Sequence, residues 1–178
     1  HEQDIYAIES HKRALHAIKN GYFKDQILPV EISNRKGTIV FDTDEHPREN
    51  MDIKELAQLR PVFQRDGTVT AGNASGINDC AAALVLMERG AALKRKLKPM
   101  ARLVSYGHAG VDPKFMGMGP VPAVQNSLQR ASLKITDMDV IESNEAFAVQ
   151  ACAVAKELHF DPDKTNPNGG AVALGHPI

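Results

Sequence analysis

The run that starts at Asp139 constrains the fold more than any other part of the chain. There a pentapeptide with Val140 and Ile141 at its centre, "DVIES", leads into "NEAFAVQACAVAKEL" and then, past a polar gap, into "NPNGGAVALGHPI". The first piece has the character of a short buried strand. The second places Phe147, Ala151, Val154 and Leu158 on one side of a helix expected to begin near Glu145. Upstream, "ARLVSYGH" reads as a strand and "VPAVQNSLQRA" as a helix with Val121, Val124 and Leu128 on its apolar face. Strands that alternate with helices point to an α/β layered fold, whose ligand sites collect at the carboxyl edge of the sheet.

The first half is patterned differently. Ile5, Ile8, Leu15 and Ile18 share a helix face that Asn20-Gly21 terminates. In "QILPVEISNRKGTIVFDTDE", Val30 and Ile32, then Ile39 and Phe41, alternate around Gly37, which suggests two strands joined by a turn, the first holding an edge-type Pro29. "HPREN" is a loop, and "DIKELAQLR" is a short helix closed by Pro61. Turn and cap residues fill "GTVTAGNASGIND", and periodicity leaves "AAALVLM" open between buried strand and buried helix. The basic cluster "LKRKLKP" marks a candidate boundary between structural units.

Several function classes find no support. A formal net charge of -1 gives no electrostatic case for nucleic acid or an anionic membrane. No apolar run approaches the roughly 20 residues of a spanning helix, and "HEQDIYAIES" has no secretory-signal pattern. Cys80 and Cys152 stand far apart, so a reducing, cytoplasmic setting without a disulfide is expected. The seven histidines form neither HExxH nor a Cys/His ligand cluster, so no metal is expected. Phosphate-binding GxxxxGK and GxGxxG patterns are absent.

The local candidates each have an ordinary alternative. Asn144 and Glu145 fall where a strand meets a helix; helix capping is the commoner role for such residues, and facing a crevice the rarer one. His176 ends a glycine-rich loop, where a neutral imidazole can act as a base or donate to an oxyanion, or simply pack. Ser75 in "GNASGIND" suits a polar ligand chain or a helix cap. Cys152, among Ala and Val, reads as packing, and Cys80 as a thiol near a helix N-terminus with no base pattern beside it.

In combination these stretches say more. "TVTAGNASGINDCAAA", "GVDPKFMGMGPVPA", "IESNEAFAVQACAVAKEL" and "NGGAVALGHPI", in that order, closely resemble the thiolase family, and within it the bacterial biosynthetic acetyl-CoA acetyltransferases. The opening "EQDIYAIESHKRALHAIKNGYFKDQILPVEI" with "RKGTIVFDTDEHPR" is similar to that family's loop domain, so the likeness covers essentially all 178 residues.

The resemblance implies a thiolase-type α/β fold: mixed sheets layered with helices, plus an irregular loop domain. It implies three segments: a loop domain over 1–77 with the coenzyme A and oligomer contacts, the last elements of the first core half over 78–98, and a truncated second core half over 99–178. The implied activity is condensation of two acetyl-CoA to acetoacetyl-CoA, and its reversal, through an acetyl-cysteine. His176 would be the base and an oxyanion donor, and Asn144 would hold a water as the other donor. Ser75 would bond the pantetheine amide, Ala71 and Phe63 would line its channel, Arg48 would meet the adenine-phosphate end, and Met116 would border the acyl pocket. Coenzyme A enters as part of the substrate, with no separate cofactor, and a homodimer or homotetramer is expected. The family's nucleophilic cysteine and its "CxGGG" cysteine fall outside these residues, so this chain resembles a central fragment, inactive alone. Pro167 also departs from the pattern, standing where an extended residue with a free amide is commoner. Two rival readings are a degradative thiolase for longer 3-ketoacyl-CoA and a non-catalytic coenzyme A-binding fragment.

Overall fold

A computed structural model describes residues 2–177. Contacts divide the chain into two compact units, His1–Asn78 with Met138–Ile178, and Asp79–Asp137. This grouping does not follow the three consecutive segments 1–77, 78–98 and 99–178, because the chain leaves the first unit and returns to it.

The spine of the first unit is α1, Glu2–Lys19, with Glu2 and Asp4 in its first turn and His16 and Lys19 in its last, where each complements the helix dipole. Gly21, at φ 70°, provides the turn after it. The buried face is not the one the isoleucines suggest. Gln3, Asp4, Ala7, Ser10, His11, Ala14 and Ala17 are buried, while Ile5 is 53% exposed. Residues of methyl size let α5, Ala148–Leu158, and α6, Ala171–Leu174, approach α1 closely, and Ala7, Ala148 and Val172 form a core beside Tyr6. The buried polar pair Asn73 and Asp4 is satisfied internally. Asn73 Nδ2 donates to Asp4 Oδ1 at 2.8 Å, and Asn73 Oδ1 accepts from Thr70 N at 2.9 Å.

The hairpin forms as expected: β1, Val30–Asn34, pairs antiparallel with β2, Gly37–Phe41, in the register Val30–Phe41 to Asn34–Gly37. α2, Ile53–Leu56, begins at Asp52, whose carboxylate accepts from Lys54 N at 2.9 Å. It stops well before Pro61.

In the second unit α3, Arg89–Lys94, and α4, Pro120–Ala131, flank a 3₁₀ stretch at Pro113–Met118, and α4 buries Val121. "ARLVSYGH", expected as a strand, joins no ladder among the described residues. Hydrogen bonds with α4 take up its polar groups instead: Arg130 Nη1 donates to Tyr106 O at 2.9 Å, Asn126 Nδ2 to His108 O at 3.1 Å, and Ser105 Oγ to Ser127 O at 2.9 Å. An apolar sequence sets the tendency to extend, but a strand also needs a neighbour. "AAALVLM" likewise falls in neither helix nor strand, with Leu84 89% exposed.

Beside α2, His11 Nδ1 accepts from Arg48 N at 3.0 Å, and its ring stacks on His46 at 6.3 Å. Burial, helped by His46 and Arg48, lowers its pKa from 6.5 to about 4. The unfolded chain therefore binds more protons between these values, so stability is full above about 6.5 and declines as pH falls towards about 4. The urea midpoint should fall across that window. His11→Asn keeps an acceptor but does not titrate, and should flatten the slope; an unchanged slope would assign the titration elsewhere.

Candidate active site

The segment 141–148 is held on both sides. On one, Ile141 N donates to Lys164 O at 2.9 Å and Asn166 N to Ile141 O at 2.8 Å, a parallel bridge between Ile141 and Thr165. On the other, Ala148 N donates to Asn73 O at 2.9 Å and Ser75 N to Ala146 O at 3.2 Å, around an antiparallel bridge of Ala74 with Phe147. The expected strand "DVIES" is thus reduced to one bridge. The helix starts three residues later than expected, at Ala148, with Phe147 as its N-cap residue. Asn144 is therefore outside the helix and does not cap it.

Asn144 instead meets His176. Its Nδ2 lies 3.3 Å from Nε2 and 3.5 Å from Nδ1 of the imidazole. Nothing local requires this. Asn144 is placed by the two bridges, while His176 follows α6 and is fixed by its own N–H, which donates to Gly76 O at 2.8 Å. The "GNASG" segment thus supports both residues, through Ser75 on one side and Gly76 on the other.

The glycines around His176 are there for close approach. At Gly169, φ 78°, an added Cβ would strike the Ser10 carbonyl and Ala14 of α1. At Gly170 it would overlap the Glu145 carboxylate, and at Gly175, φ 96°, the Asn78 side chain. Gly170→Ala should cost about 2–4 kcal/mol, since the obstructing group is buried and bonded on both oxygens. Chemical denaturation reads this directly, and an unchanged midpoint would mean that Glu145 has room to move. Pro167 removes no strand hydrogen bond. It lies inside a turn closed by Gly169 N donating to Asn166 O at 3.0 Å, where a free amide is not required.

The residues expected to contact coenzyme A are only partly gathered. Arg48 and Ala71 line one pocket with His11, His46, Met51, Gly72, Ala74 and Val172. Ser75 and Phe63 are not on that pocket. Ser75 Oγ donates to Ala146 O at 2.8 Å, which leaves its lone pairs free to accept, and Phe63, 69% exposed, meets Phe147 edge-on at 5.8 Å. Met116 belongs to the second unit and is 77% exposed.

Both cysteines are free. Cys80 is exposed in a segment with no helix, so the helix N-terminus expected beside it is not there; α3 begins only at Arg89. Burial pushes the Cys152 thiol up to about 11, with Glu2 adding to the effect. Among the described residues, no group of three or more His, Cys, Asp and Glu is placed to hold a metal, and no helix is long and apolar enough to cross a membrane.

Sequence reasoning weighed Glu145 as a helix-start residue or a crevice-facing side chain, whereas it is only 1% exposed, and it missed the His11–His46 pair. A signal existed for the first: Tyr6 and Ser10, four residues apart on α1, present hydroxyls to one face.

Comparison with known proteins identifies the family. The family model described as "Thiolase, N-terminal domain" matches residues 1–90, and "Thiolase, C-terminal domain" matches 97–178. The chain is 64% identical over 178 residues to beta-ketothiolase BktB of Cupriavidus necator, covering 99% of this chain and 45% of that protein. It is 56% identical to the acetyl-CoA acetyltransferase of Escherichia coli, again covering 99% and 45%. Among solved structures, the Bacillus anthracis acetyl-CoA acetyltransferase superposes with a TM-score of 0.96 at 52% identity, covering 99% of this chain and 45% of that one. Human mitochondrial 3-ketoacyl-CoA thiolase superposes at 0.90 with 44% identity and the same coverage. The chain thus spans about 45% of the length of the curated relatives it matches, with the partial thiolase-type fold expected of such a stretch. It belongs to the thiolase family.

Proposed function

We propose that this chain carries the oxyanion-stabilising part of a thiolase active site, with His176 as base and Asn144 as the partner donor. The observation that supports it most is their meeting at 3.3 Å, though separate elements hold them. In the proposed reaction a cysteine thiolate attacks the thioester carbonyl of acetyl-CoA, the C–S bond to coenzyme A breaks, and the acetyl group passes to cysteine. The α-carbon of a second acetyl-CoA loses a proton and attacks that acetyl carbonyl, forming the new C–C bond of acetoacetyl-CoA and releasing the thiolate. Each step places charge on a carbonyl oxygen, where fixed donors lower the barrier. A base is needed because a thiol near its ordinary pKa of about 8.5 is mostly protonated at neutral pH.

The acyl-accepting cysteine would come from a segment outside these 178 residues. Arg48 and Ala71, with Ser75 and Phe63, would hold coenzyme A, and no cofactor beyond the coenzyme A of the substrate would be used. A cytoplasmic setting fits acyl-CoA chemistry. A homo-oligomer, dimer or tetramer, fits the hairpin. An isolated two-stranded hairpin is marginal in water, and this one exposes Val30, Ile32, Ile39, Val40 and Phe41.

Steady-state assays of the complete protein across 3-ketoacyl-CoA substrates of increasing chain length test the reading. Acetoacetyl-CoA thiolysis is the expected result. Coenzyme A binding with no thioester turnover would reduce the protein to a binding module. The 64% identity to a protein named beta-ketothiolase favours a second reading, in which longer chains are preferred. A kcat/KM that rises with chain length would decide for it.

A further inference from the structure

Glu145 is the largest fully buried side chain among the described residues, and its carboxylate has four donors, two on each oxygen. Tyr6 Oη donates to Oε1 at 3.0 Å and Asn166 Nδ2 to the same oxygen at 2.8 Å. Ser10 Oγ donates to Oε2 at 2.7 Å, and Val172 N to that oxygen at 3.2 Å. The donors come from α1, the 164–166 strip and α6, so a single group joins three elements.

Two of these links bear on the site. Val172 lies in α6, which runs directly into Gly175 and His176. Asn166 holds the other side: its Nδ2 also donates to Ser143 O at 2.8 Å, and its Oδ1 accepts from Ser143 N at 2.8 Å, fixing the residue before Asn144. Ser10 completes the arrangement, because the hydroxyl that donates to Glu145 accepts from Gly170 N at 3.1 Å. Burial and the neighbouring Glu145 hold the Tyr6 phenol well above its ordinary pKa, so it remains a donor.

We propose that Glu145 is the positioning residue that sets the approach of Asn144 to His176, an inference that rests on the acyl-transfer reading of that pair. It does not itself reach the reacting atoms. It ties the backbone on either side of the pair to one rigid group, and small misplacements at such sites are costly in rate. Glutamine cannot replace it. An amide offers one accepting oxygen and sets its own N–H groups against two of the four donors.

The test uses the complete protein with histidines labelled with ¹³C and ¹⁵N. Glu145→Gln should lower kcat by about 10- to 100-fold, leave KM for the acyl-CoA within about threefold, and shift the His176 ring resonances. Tyr6→Phe removes one donor but leaves the carboxylate in place. It should act in the same direction by roughly severalfold, and it decides the matter if Glu145→Gln does not fold. A folded variant with wild-type kcat and unshifted His176 resonances would overturn the proposal, as would a raised KM at unchanged kcat. Failure of the parent reading appears separately, as a His176→Ala protein with undiminished activity; the resonance shift then still decides whether Glu145 positions the ring.

Discussion

Purified alone, the 178-residue chain is expected to show no thiolysis of acetoacetyl-CoA above the uncatalysed rate. Covalent acyl transfer needs a thiolate beside a base, and neither cysteine qualifies. With its pKa at about 11, the Cys152 thiol is ionised in only about one molecule in 10⁴ at neutral pH. It also lies within α5, half-buried. Cys80 is exposed and lies outside any helix. Loss of the 3-ketoacyl thioester absorbance on adding coenzyme A measures the rate. Turnover that disappears in Cys80→Ser would make Cys80 the nucleophile and remove the need for a cysteine from outside the chain.

In the complete protein, His176→Ala should lower turnover by about 10²–10⁴, the usual contribution of a positioned base. The loss should be in kcat more than KM, because the ring acts on charge that develops after binding. Asn144→Ala should cost less, roughly 10–10², since a water can occupy part of the space vacated by the amide and supply a hydrogen bond. Rates measured at saturating acyl-CoA separate the two. A His176→Ala protein within about threefold of wild type would mean that the imidazole is neither base nor oxyanion donor.

The parts of this arrangement legible in sequence are those governed by local chemistry. The hairpin follows from alternation around Gly37, α4 from its apolar face, and the stop of α1 from Asn20-Gly21. What was hidden depends on partners distant in the chain. "ARLVSYGH" carries a strand's composition, but α4 side chains take its carbonyls. The face of α1 that turns inward is the one with alanines and polar groups, because Gly169 packs directly on Ser10 and Ala14. No hydrophobic pattern on α1 announces this.

The candidate site was legible to a similar degree. The motif resemblance named Asn144 and His176, and the structure brings their side chains together. The same resemblance placed Ser75 and Phe63 in a channel with Arg48 and Ala71, where the pocket contains only the last two. For Glu145 the sequence offered only a helix start or a crevice-facing side chain, because an acid just before a helix has a sufficient local explanation. Its role becomes visible only when Tyr6, Ser10, Asn166 and Val172 are seen around it.

The most direct measurement of the central claim is a double-mutant cycle on kcat in the complete protein, with Asn144→Ala, His176→Ala and the double variant. Groups that serve one oxyanion fail together, so the double variant should be little slower than His176→Ala alone. If the two losses instead multiply in full, Asn144 and His176 act independently, and their 3.3 Å approach is packing rather than a shared site.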